Sequence, residues 1–339
     1  MTCALTHLRT YSRLILIALA AFLAAVPAQR SSAGQSSAVT PVAGPKRPAN
    51  VPDGYLITPV GYFHPSCVRS LAKGERILSD KRVQHANGTV EDNPLVCSYP
   101  HYTQSGAVVD AGSANPSAGA ENNPAAATSP EVSGWLENAN LATGSPAQSY
   151  GALIATWTVP PSPKSNDGQV LFFFPGLEDI YNTQSIIQPV LQWNQQWSIA
   201  SWNCCINGVV ANSPGVNVSV GDAIYGSITN TCSAGTISCP TWNVLSLDLS
   251  TGESTTLNDT PSDGQEFNWA FGGVLEPYYV VRCDDYPSNR QLSFNNIVLF
   301  DQELHPIDHL KWTETFNNQV TPQCDYGVRD TAHEVRLAY

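Results

Sequence analysis

The 339-residue chain has no GxSxG and no CxxC, and beyond its first 28 residues no stretch approaches the ~20 apolar residues of a membrane-spanning helix. These absences remove the serine nucleophile elbow, the common zinc frameworks and a helical membrane anchor. Histidine is scarce too. After residue 28 the chain holds His64, His85, His101, His305, His309 and His333. The one metal-like spacing, HPIDH at 305–309, would need a helix that Pro306 opposes. No metal and no other cofactor is expected, and His305 and His309 read as solvated loop residues. Basic residues are thin where the chain is longest: 135–339 carries six Lys and Arg against twenty Asp and Glu, a net −14, whereas 29–134 has eight of each. A field of that sign argues against nucleic acid and anionic membrane surfaces as partners. With few basic groups to lose partners when carboxylates protonate, the acidic part should tolerate low pH, although acidity for solubility alone gives the same composition.

What is present begins with an export signal. Arg9 and Arg13 precede an apolar run over 14–26, and Val26-Pro27-Ala28 offers a cleavage site after Ala28. Residues 1–28 therefore read as a signal peptide and the mature protein as secreted, extracellular and monomeric. Eight of the nine cysteines remain once Cys3 leaves, an even count that points to disulfides in an exported chain. Cys67 with Cys97 would close a loop, Cys232 with Cys239 would clamp a hairpin, and Cys283 with Cys324 is a guess. The pairing of the adjacent Cys204 and Cys205 stays open. Sequons at Asn87, Asn217 and Asn258 would carry glycans in a eukaryotic secretory pathway.

Composition divides the rest. Residues 29–103 form an N-terminal region, polar and small at first, then apolar and basic over 52–102, with a short helix expected within VRSLAKGERILSD (68–80). Residues 104–133 are rich in Gly, Ala, Ser, Pro and Asn and read as a flexible linker. From 134 to 339 the pattern is of short strands separated by turn signals, with candidates starting at Gly151, Gln169, Ser185, Trp197, Asp222, Trp242, Glu253, Glu276 and Leu292. No sustained helical period appears, so this part is expected to be an all-β, two-sheet antiparallel β-sandwich or jelly roll whose concave sheet is the ligand surface.

The richest stretch for chemistry is 172–202, where apolar strands carry Glu178, Asp179, Gln188 and Gln192 among Trp193, Trp197 and Trp202. Polar side chains amid alternating aromatics suit the floor of a groove. With no nucleophile in view, carboxylates are the acid/base candidates. Glu276 stands out because it opens the apolar run EPYYVV after the glycine pair of FGGVL, and a carboxyl at such a lip can have a raised pKa. An ordinary strand-edge glutamate fits the same residues, and Glu178 and Asp179, after Pro175-Gly176, could instead cap a turn.

From Trp135 onward these motifs resemble the eqolisin family of glutamic peptidases, the scytalidoglutamic peptidase-like acid proteases. The residues that carry the likeness are Gly134-Trp135, TWTVPPSP (156–163), FPGLED (174–179) leading to IIQ (186–188), QWSIASW (196–202), VSVGDAI (218–224), LDLSTGES (247–254) and Glu276 before its aromatic strand. The resemblance implies a concanavalin A-like sandwich of lectin-like shape. It also implies a polypeptide substrate and a catalytic pair of Gln188 and Glu276, with Gln192 as a competing amide and with Trp193 and Trp202 lining the cleft beside Glu178, Asp179 and Gln192. In that reading 52–102 serves as an inhibitory prosegment of a zymogen, released when low pH protonates the carboxylates facing its basic residues, or as a permanent accessory module. Departures from the family pattern are Pro189 after Gln188, Pro277 after Glu276, Val280 or Val281 at a second carboxylate position, and Phe174 in place of tryptophan. Two other readings remain: a non-catalytic carbohydrate-binding sandwich that stacks sugars on Trp193, Trp197 and Trp202, and a glycoside hydrolase pairing Glu276 with Glu178.

Overall fold

A computed structural model describes residues 47–110, 134–182 and 186–339. The expected signal peptide, the polar start of the N-terminal region and residues 111–133 of the expected linker lie outside the described residues. Residues 47–110 hold β1 (Leu56–Thr58), β2 (Gly61–Phe63), β3 (Val68–Ser70), β4 (Arg76–Ile77), β5 (Val83–Gln84), β6 (His101–Tyr102) and β7 (Val108–Val109), the last inside the expected linker. After it come β8 (Glu137–Ala142), β9 (Tyr150–Thr158), β10 (Val170–Glu178), β11 (Ile186–Trp193), β12 (Trp197–Ile206), β13 (Val209–Asn212) and β14 (Val216–Asn217). The chain continues through β15 (Ala223–Asn230), β16 (Thr241–Asp248), β17 (Ser254–Pro261), β18 (Trp269–Tyr278), β19 (Gln291–Asp301), β20 (Thr313–Phe316), β21 (Gly327–Thr331) and β22 (Glu334–Ala338).

The protein is all-β, and two large sheets pack face to face. The larger runs β20-β8-β18-β10-β11-β12-β13-β3 with β14 on β12, and the smaller runs β17-β16-β15-β9-β19-β22-β21. Neighbours are antiparallel except β3, which joins β13 in parallel. Strand alternation sends residues of the larger sheet to two different cores. Leu171, Phe173, Ile187, Leu191 and Leu275 point into the sandwich and meet Trp157, Ile228, Val244 and Phe294. Phe172, Phe174, Val190, Ala200 and Val274 point the other way and meet Val60, Tyr62, Phe63 and Tyr102 from the N-terminal region. Every residue of β10 is buried as a result, the pattern of a strand covered on both faces.

Residues 47–110 thus form a cover on the outer face of the larger sheet. Pairing of β3 with β13 displaces the helix expected over 68–80: Gly74 turns the chain at φ +85, Leu71 N–H donates to Asn212 O, and Leu71 and Ile77 reach the sandwich core. Long-range pairing here overrides local propensity. Ion pairs tie the cover to the edge strand region, Arg76 to Asp259 at 2.7 Å and Lys81 to Asp263. The disulfides are Cys67–Cys97, Cys232–Cys239 and Cys283–Cys324, as read from the sequence, and Cys204–Cys205, which the sequence left open. None of them joins 47–110 to 134–339. Among the described residues no helix is long and apolar enough to cross a membrane.

The glycine pair Gly272-Gly273 corrects a second expectation. It does not end a strand but lies inside β18 at a bulge, where a Cβ on Gly273 would stand 2.5 Å from the Phe294 ring and one on Gly272 2.9 Å from Val335. Close approach of the two sheets requires glycine there. Glu276 consequently sits near the end of a ten-residue strand rather than at the start of a new one.

Candidate active site

Glu276 is fully buried on the outer face of the larger sheet, in register with Phe172 of β10. Its Oε1 accepts from Gln104 Nε2 and from Tyr278 Oη, each at 2.6 Å, and its Oε2 accepts from Trp135 Nε1 at 2.9 Å. Tyr278 reaches it because residues i and i+2 of a strand share a face. Trp135 is held edge-on against Phe174 and Phe271, with ring centroids 5.7 and 5.0 Å away, while Gly134 N–H donates to Pro277 O. Burial pushes the Glu276 pKa up to about 7 against the pull of the Gln104, Tyr278 and Trp135 donors. Just past the site the chain bends at Tyr279, an aromatic residue in the left-handed region at φ 61.

Gln188 is also fully buried, on the same face of β11, opposite Trp202 of β12. Its Nε2 lies 3.4 Å from Pro59 O, and its Oε1 has no hydrogen-bond partner. The Pro189 departure acts on the other side of the sheet, where its ring packs on Gly226 of β15 so closely that a Cβ there would lie 2.7 Å from Pro189 Cγ. The register between β10 and β11 sets Pro189 opposite Pro175, two residues without N–H facing each other. The missing donors thus coincide at one rung.

A turn of the cover meets both residues. β1 and β2 pair Thr58 with Gly61, leaving Pro59 and Val60 at the tip. Thr58 O lies 3.0 Å from Tyr278 Oη and Pro59 O accepts from Gln188, so successive carbonyls of one turn dock on two donors: Tyr278, bonded to Glu276, and Gln188, whose rung lies four residues along β10 from that of Glu276. Gly61 N–H donates back to the Tyr278 hydroxyl.

Glu178, at the end of β10 opposite Trp269, lies on this face as well. Its Oε2 has no partner, and burial, with the charge of Glu276 second, raises its pKa to about 8. Gln192 aligns with Glu276 across Phe172, about 10 Å away by two strand spacings. Trp202 shares the face and is buried under the cover. Two expected contacts are placed elsewhere. Trp193 and its neighbour Trp197 pack at 5.1 Å inside the sandwich, because their odd positions relative to Gln188 point inward. Asp179 is a turn anchor: it accepts from the N–H groups of Tyr181, Asn182 and Glu266 and from the side chain of Asn268. His305 and His309 are exposed loop residues, and no group of three or more His, Cys, Asp or Glu able to hold a metal assembles among the described residues.

Sequence reasoning missed Tyr278, Gln104 and the Thr58-Pro59 turn. Tyr278 was findable as the i+2 neighbour of Glu276. Gln104, 172 residues away, gave no signal. No family model and no curated protein sequence matches the chain. Among solved structures it is similar to scytalido-glutamic peptidase with a peptide-based transition state analog, at 15% identity, over 60% of this chain and 98% of that one, with a TM-score of 0.46. It is likewise similar to SCP-B, a member of the eqolisin family of peptidases in complex with the tripeptide Ala-Ile-His, at 15% identity, over 60% and 98% of the two chains, with a TM-score of 0.43.

Proposed function

We propose that the protein is a secreted endopeptidase of the glutamic type, in which Glu276 moves the proton and Gln188 donates to peptide carbonyl oxygen, held latent by residues 47–110. The observation that carries this reading is the docking of the Thr58 and Pro59 carbonyls on Tyr278 and Gln188, next to a buried carboxyl. A face that already grips peptide backbone beside an acid/base group suits peptide hydrolysis. Glu276 would take a proton from the attacking water and deliver it to the leaving amine. Both Gln188 and Glu276 are inaccessible beneath the cover, so catalysis requires its displacement. The Arg76 and Lys81 pairs would weaken in acid, as expected of a basic prosegment, but the raised pKa values of Glu178 and Glu276 favour the closed form in acid. Cleavage of the linker, the remaining covalent tie, is therefore the route to opening; hydration of the opened site would return Glu276 toward the ordinary carboxylate range, where it is an ionised base at mildly acid pH.

The test is cleavage of a denatured protein across pH 2 to 7 by the linker-cleaved secreted protein, with Glu276→Gln as control. Activity that survives pepstatin and chelator and disappears in the variant supports the reading; no cleavage at any pH sinks it. A second reading follows from Glu178 and Glu276 sharing one buried face, which suits glycoside hydrolysis. Loss of polysaccharide cleavage in both Glu178→Gln and Glu276→Gln would select it. A sugar-stacking platform is disfavoured, since Trp193 and Trp197 are interior.

A further inference from the structure

We propose that Tyr278 is a further catalytic residue of this site, its phenol being the donor that meets the substrate carbonyl next to Glu276; this rests on the peptidase reading above. Tyr278 Oη lies 2.6 Å from Glu276 Oε1 and 3.0 Å from the carbonyl oxygen of Thr58. The β1–β2 turn is peptide backbone seated over the carboxyl, so the Thr58 oxygen marks the place a substrate carbonyl takes once the turn has left. Gln188 reaches the next carbonyl, that of Pro59, at the longer distance of 3.4 Å. Two donors therefore hold successive carbonyls, and the one joined directly to the acid/base group is Tyr278.

The phenol carries one hydrogen, and both acceptors compete for it. With Glu276 ionised, 2.6 Å is the length of a charge-assisted O–H···O⁻ bond, and the hydrogen belongs to the carboxylate. When water adds to the carbonyl carbon, one water proton passes to Glu276 and the C=O π pair moves onto oxygen. The neutral carboxyl then competes poorly, and the phenol hydrogen turns to the new oxyanion without its O–H bond breaking. On collapse the C=O re-forms, the C–N bond breaks, and the proton on Glu276 goes to the leaving nitrogen. The products are a carboxylic acid and an amine, and Glu276 is again ionised. Packing within the sandwich sheet holds the donor in place: the Tyr278 ring stands edge-on to Phe172, with centroids 5.9 Å apart, while its edge contact with Tyr62 at 5.5 Å leaves with the cover. Gly61 N–H, now on the same hydroxyl, leaves with the turn.

The experiment compares the full-length secreted protein, activated by linker cleavage, as wild type, Tyr278→Phe and Glu276→Gln on one fluorogenic peptide. Tyr278→Phe is expected to lower kcat on the order of 10²- to 10³-fold with KM within about threefold. Because a donor to the carboxylate is lost, the acid limb of its kcat/KM profile should move to higher pH, which a merely structural role would not cause. Wild-type kcat and an unmoved profile in Tyr278→Phe, beside an inactive Glu276→Gln, would overturn the role of Tyr278 and leave the peptidase reading standing. An inactive wild type would overturn that reading itself, and this proposal with it. If the Phe variant is not secreted folded, Tyr278→His keeps a ring donor and Tyr278→Met keeps bulk without one. At matched thermal melting the His enzyme is expected to be at least tenfold faster, and equal rates would overturn the proposal.

Discussion

One face of the larger sheet meets the smaller sheet through Leu171, Phe173, Ile187, Leu191 and Leu275, while the other meets residues 47–110 through Phe172, Phe174, Val190 and Val274 together with Gln188, Glu178, Glu276 and Tyr278. Both faces are buried, and alternation on the same strands builds both. The difference lies in what is buried with the apolar residues. The inner face takes in Ser201 and Asn203, bonded across to Ser246 and Thr260, and Glu137, whose Oε1 accepts from Gly327 N–H at 2.7 Å, whose Oε2 has no partner and whose pKa burial holds well above the usual range. The outer face buries two glutamates, a glutamine with an unpartnered oxygen and a tyrosine along strands β10, β11 and β18, under a cover tied on by no disulfide. Burying such groups costs stability, and leucine or valine at those positions would seal the contact better. On the peptidase reading proposed above, a face that keeps them serves chemistry and its cover is separable.

The largest effect expected on this contrast is catalytic. Glu276→Gln should lower peptide hydrolysis by on the order of 10²- to 10⁴-fold while the folded chain melts no lower than wild type, read by cleavage assay and thermal melting together. Next is packing on the inner face: Phe173→Ala should cost about 3 to 5 kcal/mol in urea unfolding. Gln188→Leu on the outer face should instead leave stability unchanged or raise it by about 1 kcal/mol, because an unpartnered buried oxygen is removed, and should lower turnover on the order of 10²-fold or more. Equal destabilisation by the two variants would erase the distinction between the faces.

pH sharpens it further. The folded-state pKa values of Glu276 and Glu178, about 7 and about 8, lie above their unfolded value near 4.5, so the closed form holds protons that the unfolded chain releases. Stability of the closed form is then fully present in acid and falls as pH rises from about 4.5 to about 8. Urea midpoints measured from pH 4 to 8 should decline, and Glu178→Gln together with Glu276→Gln should flatten the decline. A rising midpoint would show that the ion pairs of the cover dominate instead. The smallest effect belongs to those pairs: Arg76→Ala breaks a contact with Asp259 in which both side chains are about 40% exposed, and should cost no more than about 1 kcal/mol in the same assay.

The sequence by itself determined the all-β class, the two-sheet sandwich, the main strands over 150–158, 186–193 and 291–301, and the Cys67–Cys97 and Cys232–Cys239 disulfides, with Cys283–Cys324 a guess that the structure matches; Gln188 was singled out as the partner of Glu276 only through the family resemblance. The class and the strands are legible because period-two alternation and turn residues act over a few neighbours, and the disulfides because an even cysteine count follows an export signal. It could not tell which face of a strand meets which layer, so Trp193 and Trp202, alike in sequence, part to opposite sides of one sheet. Nor could it see that Gly272-Gly273 lies inside a strand or that 68–70 adds a parallel strand in place of a helix, and between the cleft and turn readings of Asp179 only the structure chose the turn. Only the tertiary structure brought Gln104 and Trp135 onto Glu276 and the Thr58-Pro59 turn onto Tyr278. Those contacts span up to 220 residues, and the sheet register that creates them is set by the sum of long-range pairings rather than by any local pattern.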